Sequence, residues 1–159
     1  MRRTAATFLA LGLLVAGTAP VRADAVYHTE RLTLNAVGGA AGTGMVVNVH
    51  PNGPNRYAIE NYQLRHADPN ATYKVWLNLY IGSANCNGAP FGSMETAQIH
   101  TNGAGNGTGQ LVLTPENIAA AGLVSGMRFP INWTVTQEDP LTHEDIRTHE
   151  TLCTIVTLD

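Results

Sequence analysis

The sequence predicts an all-β fold: a β-sandwich of seven or eight short strands with one short helix and one disulfide. Three observations predict it. Apolar residues recur with period two along most of the chain, the mark of strands with one buried and one wet face. Clusters of Gly, Pro, Asn and Asp separate these runs where hairpins need to turn. The chain has 159 residues, 44% hydrophobic and 13% charged, which suits one globular domain and leaves little room for a second. A single half-apolar sheet would leave its inner face in water, so two layers must clasp a core.

Residues 1–23 read as a secretory signal. Arg2 and Arg3 supply the positive start, residues 4–17 a mostly apolar centre, and Ala23 a small residue at the cleavage point, so the mature chain begins at Asp24. The apolar core is about 12 residues, short of the roughly 20 that cross a bilayer. The arginine pair abuts Met1, which favours general secretion over the twin-arginine route, and no cysteine stands at the cleavage point to carry a lipid. The expectation is therefore a secreted or periplasmic protein, residues 24–159 forming one domain without a membrane span.

Strands follow in order. Residues 31–36 place Leu32 and Leu34 inward, and residues 44–50 place Met45, Val47 and Val49 inward. In residues 56–65, Tyr57 and Ile59 fall in one phase and Tyr62 and Leu64 in the other, so a bulge is expected near Glu60 and Asn61. Residues 72–81 give the clearest alternation: Tyr73, Val75, Leu77, Leu79 and Ile81 inward, Thr72, Lys74, Trp76, Asn78 and Tyr80 outward. Residues 94–101 turn Ala97 and Ile99 inward, and residues 109–113 turn Leu111 and Leu113 inward. In residues 127–137 the inward set is Met127, Phe129, Ile131, Trp133 and Val135, with Pro130 requiring an edge strand or a break. Residues 150–158 close the chain, with Leu152, Val156 and Leu158 on one face.

The connections agree with this reading. Pro51-Asn52-Gly53-Pro54, Asp68-Pro69-Asn70 and the glycine tract 103–107 have hairpin chemistry, and residues 37–44 form a Gly/Ala-rich link. Thr114-Pro115-Glu116 starts a helix, with threonine as cap, proline in the first turn and a carboxylate at the positive end; Gly122 stops it. The strand count and spacing suggest a Greek-key, immunoglobulin-like order. Cys86 and Cys153 are the only cysteines, and an even count in an exported chain favours a disulfide between them.

Composition excludes one function class early. Removing Arg2, Arg3 and Arg22 with the signal leaves six of the nine basic residues against twelve acidic ones, with Lys74 the sole lysine. Nucleic-acid binding needs clustered Lys and Arg and is not expected. Gly122-Leu123-Val124-Ser125-Gly126 misplaces the first glycine of a nucleophile elbow, and the 103–109 tract matches no phosphate loop. Glu60, Glu95 and Glu138 are available for carboxylate chemistry, though spacing alone pairs none of them.

Two constellations remain. Lys74, Trp76, Asn78 and Tyr80 share the outward face of the strongest strand, and a cation, an indole, an amide and a phenol at two-residue spacing make a platform for a small molecule, glycan or protein partner. Residues 138–150 carry five carboxylates and two histidines, and His143, His149, Glu144 and Asp145 are the alternative, a copper or zinc site. The competing reading of that stretch is a polar loop between the last two strands. No His-x-His occurs among the six histidines.

Residues 71–77, Cys86, the 101–107 turn and Cys153 together resemble the layout of small exported bacterial β-sandwich proteins with no assigned activity. The Greek-key layout also resembles chordin-type repeat domains and copper/zinc superoxide dismutase. These resemblances imply fold and compartment; without His-x-His, no active-site residue is carried over. The sequence thus points to a secreted or periplasmic β-sandwich that binds a ligand or protein partner at the cell surface without catalysis and without a cofactor. The alternative is a metal-binding, possibly redox-active exported protein.

Overall fold

A computed structural model describes residues 27–51, 58–124 and 126–157, so the signal segment, Tyr57 and Leu158 lie outside the described residues. The fold is all-β, with nine strands and one helix among the described residues. In chain order the strands are β1 (Tyr27–Ala36), β2 (Thr43–Pro51), β3 (Ala58–Arg65), β4 (Thr72–Leu79), β5 (Gly92–His100), β6 (Gly107–Leu113), β7 (Arg128–Glu138), β8 (Asp145–Glu150) and β9 (Thr154–Thr157). Helix α1 (Pro115–Ala120) lies between β6 and β7. Its start is the one the sequence indicates: Thr114 Oγ1 accepts from the Asn117 N–H, and the Asn117 side chain reaches back to the Thr114 N–H.

The strands form one antiparallel path, β5-β4-β7-β8-β1-β2-β3-β6, with β9 also paired to β7. The two end strands, β5 and β6, pack against each other, so the sheet is nearly closed and barrel-like. Glycines permit that closure. A Cβ on Gly107 would sit 2.6 Å from Ile99 Cγ2, and one on Gly109 3.1 Å from Ala97 Cβ. The seam opposite is thin, because β1 and β8 share only the pairs Asn35↔Glu150 and Ala36↔His149.

Leu34, Val46, Tyr62, Leu64, Tyr73, Val75, Ile99, Ile131, Trp133 and Val135 fill the interior, with Leu32, Leu77, Leu79, Ala97, Leu111, Phe129 and Val156 packed around them. The expected phases therefore hold in β1, β4, β5, β6 and β7. Two terminal residues depart from them: Ile81 and Met127 lie beyond their strands and are exposed.

In β2 the expected phase is inverted. Val46 and Asn48 are buried, at 0% and 4% exposure, while Met45, Val47 and Val49 lie on the other face, partly exposed. The reason is pairing: Val46 stands opposite Leu32 and Tyr62, which both point inward, and antiparallel partners share a face. The bulge expected at Glu60 and Asn61 is absent. β3 pairs with β2 and β6 without interruption, so Glu60 stays in phase with Tyr62 and Leu64 and enters the interior.

Bulges occur elsewhere. Thr96 is the extra residue of β5 opposite Val75 and Trp76, and Thr148 that of β8 opposite Val135 and Thr136. Each threonine is buried and donates its hydroxyl to the partner strand, Thr96 to the Val75 carbonyl (3.2 Å) and Thr148 to the Val135 carbonyl (3.1 Å).

β7 is an internal, unbroken strand, contrary to the expectation set by Pro130. A strand residue aims its N–H and C=O at the same neighbour. The Pro130 carbonyl accepts from the Tyr80 N–H at 2.9 Å, just past the last β4–β7 pair, so the missing donor falls where that ladder ends. Residues 150–158 are not one strand: β8 stops at Glu150, β9 starts at Thr154, and Leu152 between them is 77% exposed. Cys153, in the same connection, is bonded to Cys86 in the β4–β5 loop, with an S–S distance of 2.06 Å and a sequence separation of 67.

Candidate functional site

The outer wall of β4 and β7 carries the predicted platform. Register brings Lys74 beside Thr136, Trp76 beside Thr134, and Asn78 beside Asn132. Asn78 is the hub: its Nδ2 donates to Asn132 Oδ1 (3.2 Å) and Thr134 Oγ1 (3.0 Å), and its Oδ1 accepts from Ser93 Oγ of β5 (2.7 Å). Tyr80 Oη donates to the same Asn132 oxygen at 3.4 Å, and Trp76 Nε1 donates to Thr136 Oγ1 at 3.0 Å. Asn78, Tyr80, Asn132 and Thr134 are all buried despite standing on an outer face, whereas Trp76 and Lys74 are half-buried at its margin.

The structure joins the platform to part of the alternative metal set. Lys74 Nζ pairs with Asp145 at 3.0 Å, both side chains about a third exposed, and this bond holds the ammonium above its ordinary pKa. Asp145 opens β8 beside Glu138. The stretch 138–150 is thus only partly a loop, since 145–150 is strand and 139–144 a tight hairpin tip. Asp139 Oδ1 accepts from the N–H groups of Leu141 and Thr142 and shapes that tip.

The histidines part company. His143 is exposed at the tip, its Nδ1 2.8 Å from Glu138 Oε1, and Glu144 is exposed beside it. His149 is fully buried inside, edge-on to Tyr73 with ring centroids 6.3 Å apart, and its Nδ1 lies 3.1 Å from Thr148 Oγ1. Burial pushes its pKa down, against weaker opposing contributions from the Ala41 backbone and Asp68. Among the described residues no group of three or more His, Cys, Asp or Glu is placed to hold a metal ion.

Sequence reasoning missed an interior acid. Glu60 is 2% exposed, and its Oε2 accepts from Trp133 Nε1 at 2.8 Å. The same oxygen is hydrogen-bonded to Tyr62 Oη, which also meets Thr96 Oγ1 at 2.8 Å. Thr96 in turn donates to the Val75 carbonyl. Tyr62 donates to the Glu60 carboxyl, and having one hydrogen it cannot donate to Thr96 at the same time. Burial drives the Glu60 pKa upward, outweighing the Tyr62 and Trp133 bonds that favour its charge, and burial together with Glu60 also raises that of Tyr62. The signal was present: Ala58, Glu60, Tyr62 and Leu64 share one strand phase.

Asn48, opposite Glu60 on β2, is buried as well, and its Oδ1 has no hydrogen-bond partner among the described residues. Asn48 and Glu60 thus place a polar pair on the inner face of β2 and β3, beside the apolar Val46 and Leu64. No helix among the described residues is long and apolar enough to cross a membrane. No family model matches this chain, and neither a curated protein nor a solved structure does.

Proposed function

We propose that the protein is an exported, non-catalytic Greek-key domain that binds a small molecule, glycan or protein partner at the cell surface through the outer wall of β4 and β7. The strand order supports the Greek-key reading, since β3 lies beside β6 and β4 beside β7, with two crossovers between the walls. The disulfide supports an oxidising compartment. The observation that carries the binding reading is the Ser93-Asn78-Asn132-Thr134 network. An outer face needs no buried polar side chains for packing, yet here amides and hydroxyls are fixed in orientation on three strands, and fixed groups lose little freedom when a ligand arrives.

Trp76 supplies the apolar contact and Lys74 the charge at the edge of that network. The test is Trp76→Ala, assayed beside the parent against glycan and peptide arrays. Binding is expected to vanish while the thermal midpoint falls by only a few degrees. A ligand still held by Trp76→Ala, or a collapse of the fold on that substitution, would show that the indole serves packing instead.

A further inference from the structure

We propose a second binding site, independent of the β4–β7 wall: the outer face of β2, β3 and β6 forms a groove for an acidic glycan, whose carboxylates Arg65 reads. Three adjoining depressions, of about 540, 600 and 210 Å3, all share Gln63 of β3, so they form one trough along that strand. The inverted phase of β2 helps to build it. Met45 and Val47, turned outward by the register with β1 and β3, give one wall an apolar strip that the hydrophobicity pattern alone would have buried.

The rest of the trough is amide and hydroxyl. Gln110 Nε2 donates to Asn61 Oδ1 at 2.7 Å, and Thr108 stands opposite Gln63 in the β3–β6 register. Amides and hydroxyls offer both donors and acceptors, which suits the hydroxyls of a sugar chain, and the apolar strip suits its C–H faces.

Charge then selects among sugars. The described lining contains Arg65, His66 and His100 and no carboxylate, in a chain where twelve acidic residues outnumber nine basic ones. Arg65 Nε donates to Gln63 Oε1 at 3.1 Å, which aims the guanidinium and commits one of its five N–H donors. The remaining fork matches a carboxylate in two-point geometry. An acidic peptide is the weaker fit. Extended peptides are captured at sheet edges, and this trough lies on a face; peptide anchors need deep apolar pockets, and the strip is shallow and aliphatic.

The test is a residue-resolved NMR titration of the mature protein, with trigalacturonic acid as probe, neutral galactotriose and hexaglutamate as comparators, and low and high salt. Shifts are expected for Gln63, Arg65, Thr108 and Gln110 with the acidic trisaccharide, weakening as salt rises. Arg65→Gln should cut affinity about tenfold or more, and Thr108→Glu, which leaves Arg65 in place, should abolish it. The proposal falls if no probe moves these signals, if hexaglutamate or galactotriose binds as well, or if the shifts gather around Trp76. In that last case the β4–β7 reading survives alone, whereas Trp76→Ala leaves the trough's affinity unchanged if both sites exist.

Discussion

At the scale of single residues, two buried titratable groups oppose each other. Glu60 keeps its proton where the unfolded chain, with a carboxyl near pH 4.5, releases it. Between those two pKa values the native state binds more protons, so stability is greatest at low pH and declines as pH rises through the window. His149 works the other way. The unfolded ring takes a proton near pH 6.5 that the buried ring refuses, so stability declines as pH falls below that value. Each variant should expose the other group's slope. Glu60→Gln removes the titrating group at nearly constant size, so urea midpoints measured across pH 4 to 8 should lose their decline on the alkaline side. His149→Gln should lose the decline on the acid side. If Glu60→Gln keeps the parent's slope, then Glu60 is ionised in the folded protein.

At the scale of elements, irregularities carry the closure of the sheet. The two bulges use one device, a buried threonine whose hydroxyl donates to the carbonyl that the bulge leaves aside. Thr96 also meets Tyr62 and so links β3, β5 and β4. The β5–β6 seam depends instead on missing side chains. Because the contact at Gly107 is closer than the one at Gly109, the two glycines should differ when replaced. Gly107→Ala is expected to cost about 1 to 3 kcal/mol through overpacking against Ile99 and the His100 backbone, and Gly109→Ala clearly less. Chemical denaturation of both variants measures this, and equal or negligible losses would mean that the seam yields to a methyl group at both positions.

At the scale of the whole molecule, the disulfide bridges two irregular connections. Cys86 belongs to the loop after β4 and Cys153 to the break between β8 and β9, so the bond ties the β4–β5 side of the wall to the short last strand. The chain-entropy model assigns a loop of this length roughly 4 kcal/mol, lessened by residual structure in the unfolded chain. Replacing both cysteines with alanine is therefore expected to lower the unfolding free energy by about 2 to 4 kcal/mol. The urea dependence should steepen as the unfolded state expands. A loss below about 1 kcal/mol would mean that the β4–β5 loop is held by its own contacts.

Period-two alternation was enough to determine from sequence that the chain is all-β, where β4 and β7 run and which faces they bury, because long apolar alternation has one physical solution. The helix cap and the cysteine pairing were legible for the same reason: each depends on local chemistry or on a count. Only the tertiary structure decided the phase of β2 and the course of β3, where alternation was ambiguous and neighbouring strands imposed their own inward faces. Glu60 and Asn48 went inside by that route, and Met45 and Val47 outside. The parting of His143 from His149 was likewise out of reach of spacing, since a hairpin tip and a bulged strand separate by register what the sequence sets six residues apart.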